Sequence, residues 1–380
     1  MAKDLVEAFY GKRADWNYHS GCSTGGRQGL KEVQLYPDDF DGVLAGAPAW
    51  WTTHLSTWTI RLALNNFPGT ADYHIPAALF PAIEREVVRQ CDPLDGVKDG
   101  IITQPDSCSF FPETLLCQPD TANKSECLTA PQVHTLYNIY GTYYDTNQTF
   151  VFPGEILGSE AQWIPKLGGP KPSRLGIDYP RYFLDLGPEW DWHEYDYSLV
   201  ELADKKDPGD ATADDYDLQP FQQKGGKLLT YHGLADGNIP AHSSEYFYKS
   251  VTKALVPEGV ELNSFYRHFS IPGMQHCVGT PNDAPWYIAG GNQAAVLGTL
   301  VHSVPGFEDA EHDALLALMA WTERDVAPER IVATKWKNDS KQDEVLRQRP
   351  ICSFPKVAKY DGTGDPDQAS SWGCNEPWVA

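Results

Sequence analysis

Asn17-Tyr18-His19-Ser20-Gly21-Cys22-Ser23-Thr24-Gly25 is the stretch on which the fold turns. Asn17 to Cys22 reads as a short β-type run, and Thr24 to Leu35 takes up a helical pattern directly behind it. Between them lies Gly-x-Ser-x-Gly, Gly21 to Gly25. A strand that turns this sharply into a helix crowds its neighbouring side chains, and flanking glycines relieve the crowding. A serine at the turn sits at a helix N-terminus, where backbone N–H groups and the helix dipole favour a developing anion. The bare pattern also arises by chance in chains of ordinary Gly and Ser content. The strand–turn–helix context is what gives it weight.

Three more β-type runs, Gly42 to Ala47, Lys227 to His232 and Ser264 to Ile271, are each followed at once by Gly, Ser or Pro. Glu308 to Val326 carries Leu315, Leu318, Met319 and Val326 at helical spacing and stops before Pro328. Strands alternating with helices predict an α/β protein with a mostly parallel sheet. Asp236 follows the third run in His-Gly-Leu-Ala-Asp-Gly-Asn-Ile-Pro, and His276 follows the fourth in Pro-Gly-Met-Gln-His-Cys. An Asp before Gly is ordinarily a turn residue, and a lone His is ordinarily structural. Here both stand at strand ends in the order Ser, Asp, His, which is the order of the α/β-hydrolase fold. The reading is Ser23 as nucleophile, His276 as base, Asp236 as its orienting acid and the Thr24 N–H as oxyanion donor.

Between Ala49 and Leu218 the texture changes. Helical patterns at Pro81 to Gln90 and Ala130 to Tyr140 are separated by Pro, Gly, Trp and Cys, and the stretch ends in an aromatic, acidic segment, Tyr179 to Asp217, with Trp190, Trp192, Tyr195 and Tyr197. Residues 1–48 and 218–380 are therefore expected to form one discontinuous catalytic domain, with 49–217 as an inserted lid. The lid aromatics fit plain packing better than substrate contact.

The 380 residues hold 30 Lys and Arg against 52 Asp and Glu, a formal charge of −22 that would repel phosphates and argues against nucleic acid as a partner. No run reaches the roughly 18 to 20 apolar residues of a membrane span. Met1 to Tyr10 is charged and amphipathic, unlike a signal peptide. Eight cysteines allow about 105 pairings. Proximity suggests Cys91–Cys108, Cys117–Cys127 and Cys352–Cys374. It leaves Cys22 and Cys277, either bridged or free, directly beside Ser23 and His276. A bridge would hold those two side by side, because it keeps two Cα atoms within about 4.4–6.8 Å. Sequons at Asn123, Asn147 and Asn338 fit the same oxidising, secreted setting. Asp92-Pro-Leu-Asp95-Gly96-Val97-Lys98-Asp99-Gly100-Ile101 is either an acidic surface turn or an oxygen-rich cation loop without EF-hand spacing.

Gly21 to Gly29, Phe40-Asp41-Gly42-Val43-Leu44-Ala45-Gly46-Ala47-Pro48, Gly225-Gly226-Lys227-Leu228-Leu229 and Arg349-Pro350-Ile351-Cys352 with Cys374 resemble the tannase and feruloyl esterase family, over essentially the whole chain. The resemblance implies the triad Ser23, Asp236, His276 and a Cys22–Cys277 disulfide. It also implies a structural Ca²⁺ in the lid, held by Asp92, Asp95 and Asp99 with the carbonyls of Val97 and Ile101. That ion is expected to stabilise the lid away from Ser23. Family members carry an upstream segment with a signal peptide, the first strands and a loop giving a second oxyanion N–H. The nucleophile strand begins here at about residue 17, so the resemblance implies a chain without that segment. The expected activity is hydrolysis of small or polysaccharide-linked aromatic esters of feruloyl, coumaroyl or galloyl type. The separation of 213 positions from nucleophile to acid leans it towards feruloyl esters. A serine peptidase of the same fold and a catalytically inactive fragment are the alternatives.

Overall fold

In chain order the strands are β1 (Tyr18–Cys22), β2 (Gly42–Gly46), β3 (Tyr143–Tyr144), β4 (Phe150–Phe152), β5 (Lys227–Gly233), β6 (Tyr266–Ile271), β7 (Arg330–Trp336), β8 (Val345–Cys352), β9 (Val357–Tyr360) and β10 (Trp372–Asn375). These come from a computed structural model describing residues 2–119, 126–169, 171–298 and 307–378. The four β-type runs become a four-stranded parallel sheet in the order β1-β2-β5-β6. The fourth starts later than the sequence suggested, because Leu262–Ser264 closes a 3₁₀ turn first. The remaining strands pair as antiparallel hairpins, β3 with β4, β7 with β8 and β9 with β10.

Both faces of the sheet are covered, as a parallel sheet requires. Alternation sends Val43, Ala45 and Leu228 to one face, where they pack with Leu30, Val33, Phe247 and Val251 of the helices Thr24–Leu35 and His242–Leu255. Leu44, Leu229 and Tyr231 go to the other, with Leu318 of the helix Ala314–Arg324. That helix is shorter than the expected 308–326. It begins where the Asp313 carboxylate accepts from the Leu315 and Leu316 N–H groups. Register puts Cys22, Gly46 and Tyr231 level, so the C-terminal strand ends share one edge of the sheet. Loops leaving that edge carry the candidate residues.

The 49–217 segment packs largely on itself, around Trp58, Phe80, Ile83, Leu136, Phe152 and Trp163. Its helices Phe80–Cys91 and Ala130–Tyr140 match the sequence pattern, the second opened by a Thr129/Gln132 capping box. Its two ends belong to the sheet instead: Trp50 and Ala213 lie in the core beside Leu30 and Phe247, and the Ala213 N–H donates to the Trp50 carbonyl. No helix among the described residues is long and apolar enough to cross a membrane.

Candidate active site

Ser23 stands where β1 turns into its helix, with φ 63° and ψ −119°, a backbone conformation that non-glycine residues rarely adopt. Its N–H donates to the Gly46 carbonyl at 2.9 Å. The space around the turn explains which glycines it needs. A Cβ on Gly21 would lie 2.7 Å from the Gly25 carbonyl carbon, and one on Gly26 would lie 2.4 Å from the Gly46 oxygen. Gly25 has open space around it, so the close approach rests on Gly21 and Gly26 and not on the motif's second glycine. Thr24 opens the helix, and its N–H has no intrahelical acceptor to find.

His276 Nε2 lies 2.9 Å from Ser23 Oγ, and its Nδ1 lies 2.7 Å from Asp236 Oδ2. Asp236 is wholly buried. Its Oδ1 accepts from the Asn238 and Ile239 N–H groups at 2.8 and 3.0 Å. Burial alone would push this carboxyl up. The charges and hydrogen bonds of His276 and His232 outweigh burial and hold it well below the usual carboxylate range. Burial works the other way on His276, drawing it down, but the Asp236 charge and hydrogen bond leave the imidazole above its ordinary value.

His232 did not stand out in the sequence, where it merely ends a strand. Its Nε2 lies 3.0 Å from Asp236 Oδ2 and 2.9 Å from the Ile239 carbonyl, while Nδ1 lies 2.7 Å from Ser244 Oγ. With two acceptors in front of it, Nε2 carries the hydrogen, and Nδ1 accepts from the serine. Asp236 thus receives a second, fixed donor on the oxygen that faces His276. Gln293 was also missed. Wholly buried, it accepts at Oε1 from the Ile288 and Gly290 N–H groups and donates from Nε2 to the Cys277 carbonyl.

All eight cysteines are paired, as Cys91–Cys108, Cys117–Cys127, Cys352–Cys374 and Cys22–Cys277. The last pair joins the residues beside Ser23 and His276 with a Cα separation of 6.0 Å across 255 positions of chain. Closing so long a loop costs the unfolded chain entropy on the order of 5 kcal/mol.

Ser23 and His276 open into a cavity of about 630 Å³ whose far wall comes from the 49–217 segment. That wall includes Leu175, Tyr179, Phe183 and Lys166. The Tyr179 hydroxyl is buried without a hydrogen-bond partner. Lys166 is buried in an ion pair with Glu155 and lies 4.5 Å from the Trp58 ring centre. Trp190, Trp192 and Tyr195 pack around Ile60 and Leu184, as plain packing predicts, and Tyr195 and Tyr197 border a different cleft.

The acidic loop is arranged differently from a cage. Asp92 Oδ1 accepts from the Asp99 and Gly100 N–H groups at 3.1 and 3.0 Å. Asp95 accepts from the Val97 N–H and the Thr103 hydroxyl, at 2.9 and 2.5 Å. Asp99 accepts from the Ile101 N–H at 3.1 Å, pairs with Arg349 and lies 3.4 Å from Arg347. Among the described residues no three His, Cys, Asp or Glu side chains converge on one point. The donors remain all oxygen, the chemistry of a hard cation. Burial and the charge of Asp99 push both Asp92 and Asp95 up, which a cation would relieve. The loop also touches the turn around His276. The Asn282 side-chain amide donates to the Gly100 carbonyl, and Ile101 packs beside Gly273 on the turn that leads to His276.

The chain is 34% identical to a protein of Aspergillus fumigatus named probable feruloyl esterase B-2, over 98% of this chain and 69% of that one. Against the probable feruloyl esterase B-1 of Aspergillus oryzae the identity is 36%, over 98% and 66%. The crystal structure of feruloyl esterase B from Aspergillus oryzae superposes with a TM-score of 0.89 at 36% identity, covering 98% of this chain and 72% of that one. Tannin acyl hydrolase from Aspergillus niger shares the fold, with a TM-score of 0.75 at 22% identity over 98% of this chain and 67% of that one. The sequence profile of tannase and feruloyl esterase matches residues 1–165 and 190–375. On that match and these identities, the chain belongs to the tannase and feruloyl esterase family of carboxylic ester hydrolases.

Proposed function

We propose that the protein hydrolyses phenolic esters through an acyl-enzyme on Ser23. The observation that carries this is the continuous line Ser23 Oγ, His276, Asp236, with links of 2.9 and 2.7 Å, at the mouth of a largely apolar cavity. His276 takes the Ser23 proton as Oγ attacks the ester carbonyl, and the Thr24 N–H faces the oxygen that gains charge. The imidazolium then protonates the leaving alcohol. Water, deprotonated by the same nitrogen, releases the acid and restores the serine. Asp236 keeps the Nδ1 hydrogen towards itself and stabilises the cation formed at each step.

Residues 49–217 act in this reading as the lid that holds the acyl group. Leu175, Tyr179 and Phe183 offer a planar ring apolar surface, and the unpartnered Tyr179 hydroxyl and Lys166 offer polar partners for ring oxygens. Feruloyl, coumaroyl and galloyl groups have that chemistry. Ca²⁺, where bound, would be held by Asp92, Asp95 and Asp99 with the Val97 and Ile101 carbonyls, and would neutralise the loop without entering the reaction. Secretion fits the four disulfides and the exposed sequon residues Asn147 and Asn338; the Asn123 sequon lies outside the described residues.

Methyl ferulate, methyl gallate and a peptide anilide assayed side by side test the proposal. Both esters should turn over, and Ser23→Ala should lose at least about 10⁴-fold in kcat. Cleavage of the anilide alone would make the protein a peptidase. Ester turnover that survives Ser23→Ala would remove the serine mechanism.

A further inference from the structure

One side chain of the 49–217 segment reaches past the cavity to the backbone of the candidate triad. Gln162 closes the 3₁₀ turn Glu160–Gln162, and its Oε1 accepts from two N–H groups, Gly237 at 3.1 Å and His276 at 3.0 Å. Gly237 directly follows Asp236. A single amide oxygen therefore spans the loop of the acid and the loop of the base. The approach is close: a Cβ on Gly237 would lie 2.5 Å from the Ser159 carbonyl oxygen and 2.8 Å from Gln162 Cβ.

The turn is built to stay put. Glu160 is wholly buried and accepts from the Tyr140 hydroxyl at 2.6 Å and the Gly158 N–H at 3.0 Å. Ser159 Oγ donates to the Ile156 carbonyl at 2.6 Å and accepts from the Trp163 indole at 3.0 Å. Trp163 is itself fully buried in the segment's core. Gln162 thus projects from a fixed point of the segment onto two loops that have left the ladder of their sheet.

We infer that Gln162 is a positioning residue for ester hydrolysis: it sets the spacing of the Asp236 and His276 loops and so aims the imidazole at Ser23. The inference rests on the triad reading above. Its chemistry asks for a neutral acceptor. The two N–H groups need an oxygen, while a carboxylate at that place would set a second negative charge beside Asp236 and hold a proton on the base. An amide supplies the oxygen without the charge.

The test uses the full chain as wild type, Gln162→Leu and Gln162→Glu. It measures methyl ferulate kinetics across pH and the rate at which a fluorophosphonate labels Ser23. Gln162→Leu is expected to lose about 10- to 100-fold in kcat and in labelling rate, with KM within about threefold, because misplaced reacting groups cost rate and not binding. Gln162→Glu keeps the acceptor and should stay within about threefold in kcat. Its added charge favours the imidazolium, so the acid limb of kcat/KM should move to higher pH. Wild-type kcat and labelling in Gln162→Leu would overturn the inference. So would equal kcat losses in both variants with an unmoved limb. Where Gln162→Leu does not fold, the limb of Gln162→Glu decides, its shift supporting the role and its absence overturning it. A wild type that never labels at Ser23 sinks the triad reading and this one with it. A labelled wild type with an indifferent Gln162→Leu sinks this one alone.

Discussion

The residues of the proposed triad and the segment that walls the cavity are built by different means. Ser23, Asp236 and His276 leave the ends of parallel strands, and their relative places follow from strand register. Residues 49–217 are helices and 3₁₀ turns that pack around a core of their own and are pinned to one another by individual contacts. Two of the four disulfides lie within them, and Asn66 bridges the Ile75 backbone and the Leu167 carbonyl. A repeating ladder distributes the burden of position over many bonds, whereas a contact of the second kind is one side chain. The difference teaches where variation is cheap. Pocket-wall residues such as Leu175 and Phe183 can change without disturbing a strand, so the choice of ester can shift while the triad stays. Substitutions in the sheet half should therefore strike kcat, and substitutions in the cavity wall of the segment should strike substrate preference, whereas Gln162, which leaves the segment for the loops of the sheet, belongs with the first group.

Asp236→Asn offers the largest break. The asparagine keeps the size but presents an amide where His276 Nδ1 and His232 Nε2 both need an acceptor, so the base is turned to the wrong tautomer. We expect kcat to fall about 10⁴-fold with KM little changed. The pH profile carries a sign. In the proposed mechanism His276 must be neutral to act, and Asp236 holds its pKa above the ordinary value, so kcat/KM of the parent should rise through a pKa above that of a free histidine. Without the carboxylate charge the residual activity should show its acid limb at lower pH. A limb that does not move would show that another group governs it.

Lys166→Met should act on the other side of the comparison. Lys166 borders the cavity with its ammonium group over the Trp58 ring. The expected change is a loss of about tenfold in kcat/KM for methyl ferulate relative to methyl cinnamate, which lacks the ring oxygens. Glu155 loses its cation at the same time. Burial already holds that carboxyl up at about 7 against the pull of Lys166, and one of its oxygens has no partner. Removing one member of a buried pair costs about 3 kcal/mol, or roughly 4 °C in Tm for a chain of this length. Replacing both, in Glu155→Gln/Lys166→Met, should recover much of the melting temperature and none of the preference. Equal losses on ferulate and cinnamate would take Lys166 out of recognition.

The same contrast decides what could be read from the sequence. Ser23, Asp236 and His276 were legible because each follows a β-type run, and strand ends meet at one sheet edge whatever the intervening chain does. The sheet itself was legible for that reason, down to a two-residue error at the start of β6. His232 was not, since nothing local distinguishes a strand-end histidine that faces a carboxylate four residues on from one that packs. Gly26 was hidden because its need comes from the Gly46 oxygen of the next strand. In the segment, composition set plain packing above substrate contact for all the aromatics alike; Trp190 and Trp192 do pack, yet Tyr179 and Phe183 line the cavity. Which aromatic faces a cavity depends on the chain path through irregular turns, and that path has no period to read. Gln162 is the extreme case, two hydrogen bonds fixed by docking alone.

The acidic loop gives the smallest expected effect and lies across the boundary between the two regions. Asp99 ties it to Arg349, which is itself buried and stacks 4.0 Å from the Trp372 ring centre. Asn282 ties it to the turn of the base. Two accounts of its stability then compete. If Ca²⁺ neutralises Asp92 and Asp95, a chelator should lower Tm by a few degrees and added Ca²⁺ should restore it, since an ion held at about 100 times its Kd contributes about 2.7 kcal/mol. Activity measured well below Tm should barely move, because the ion enters no step. If arginine pairing alone holds the loop, chelation should leave Tm where it was, while Arg349→Met should lower it by leaving the buried Asp99 with only the more distant Arg347 as a cation. Chelation that abolished turnover without moving Tm would fit neither account. It would mean that the contact between Gly100 and Asn282 transmits to His276, and that the boundary between the two regions is a working part of the site.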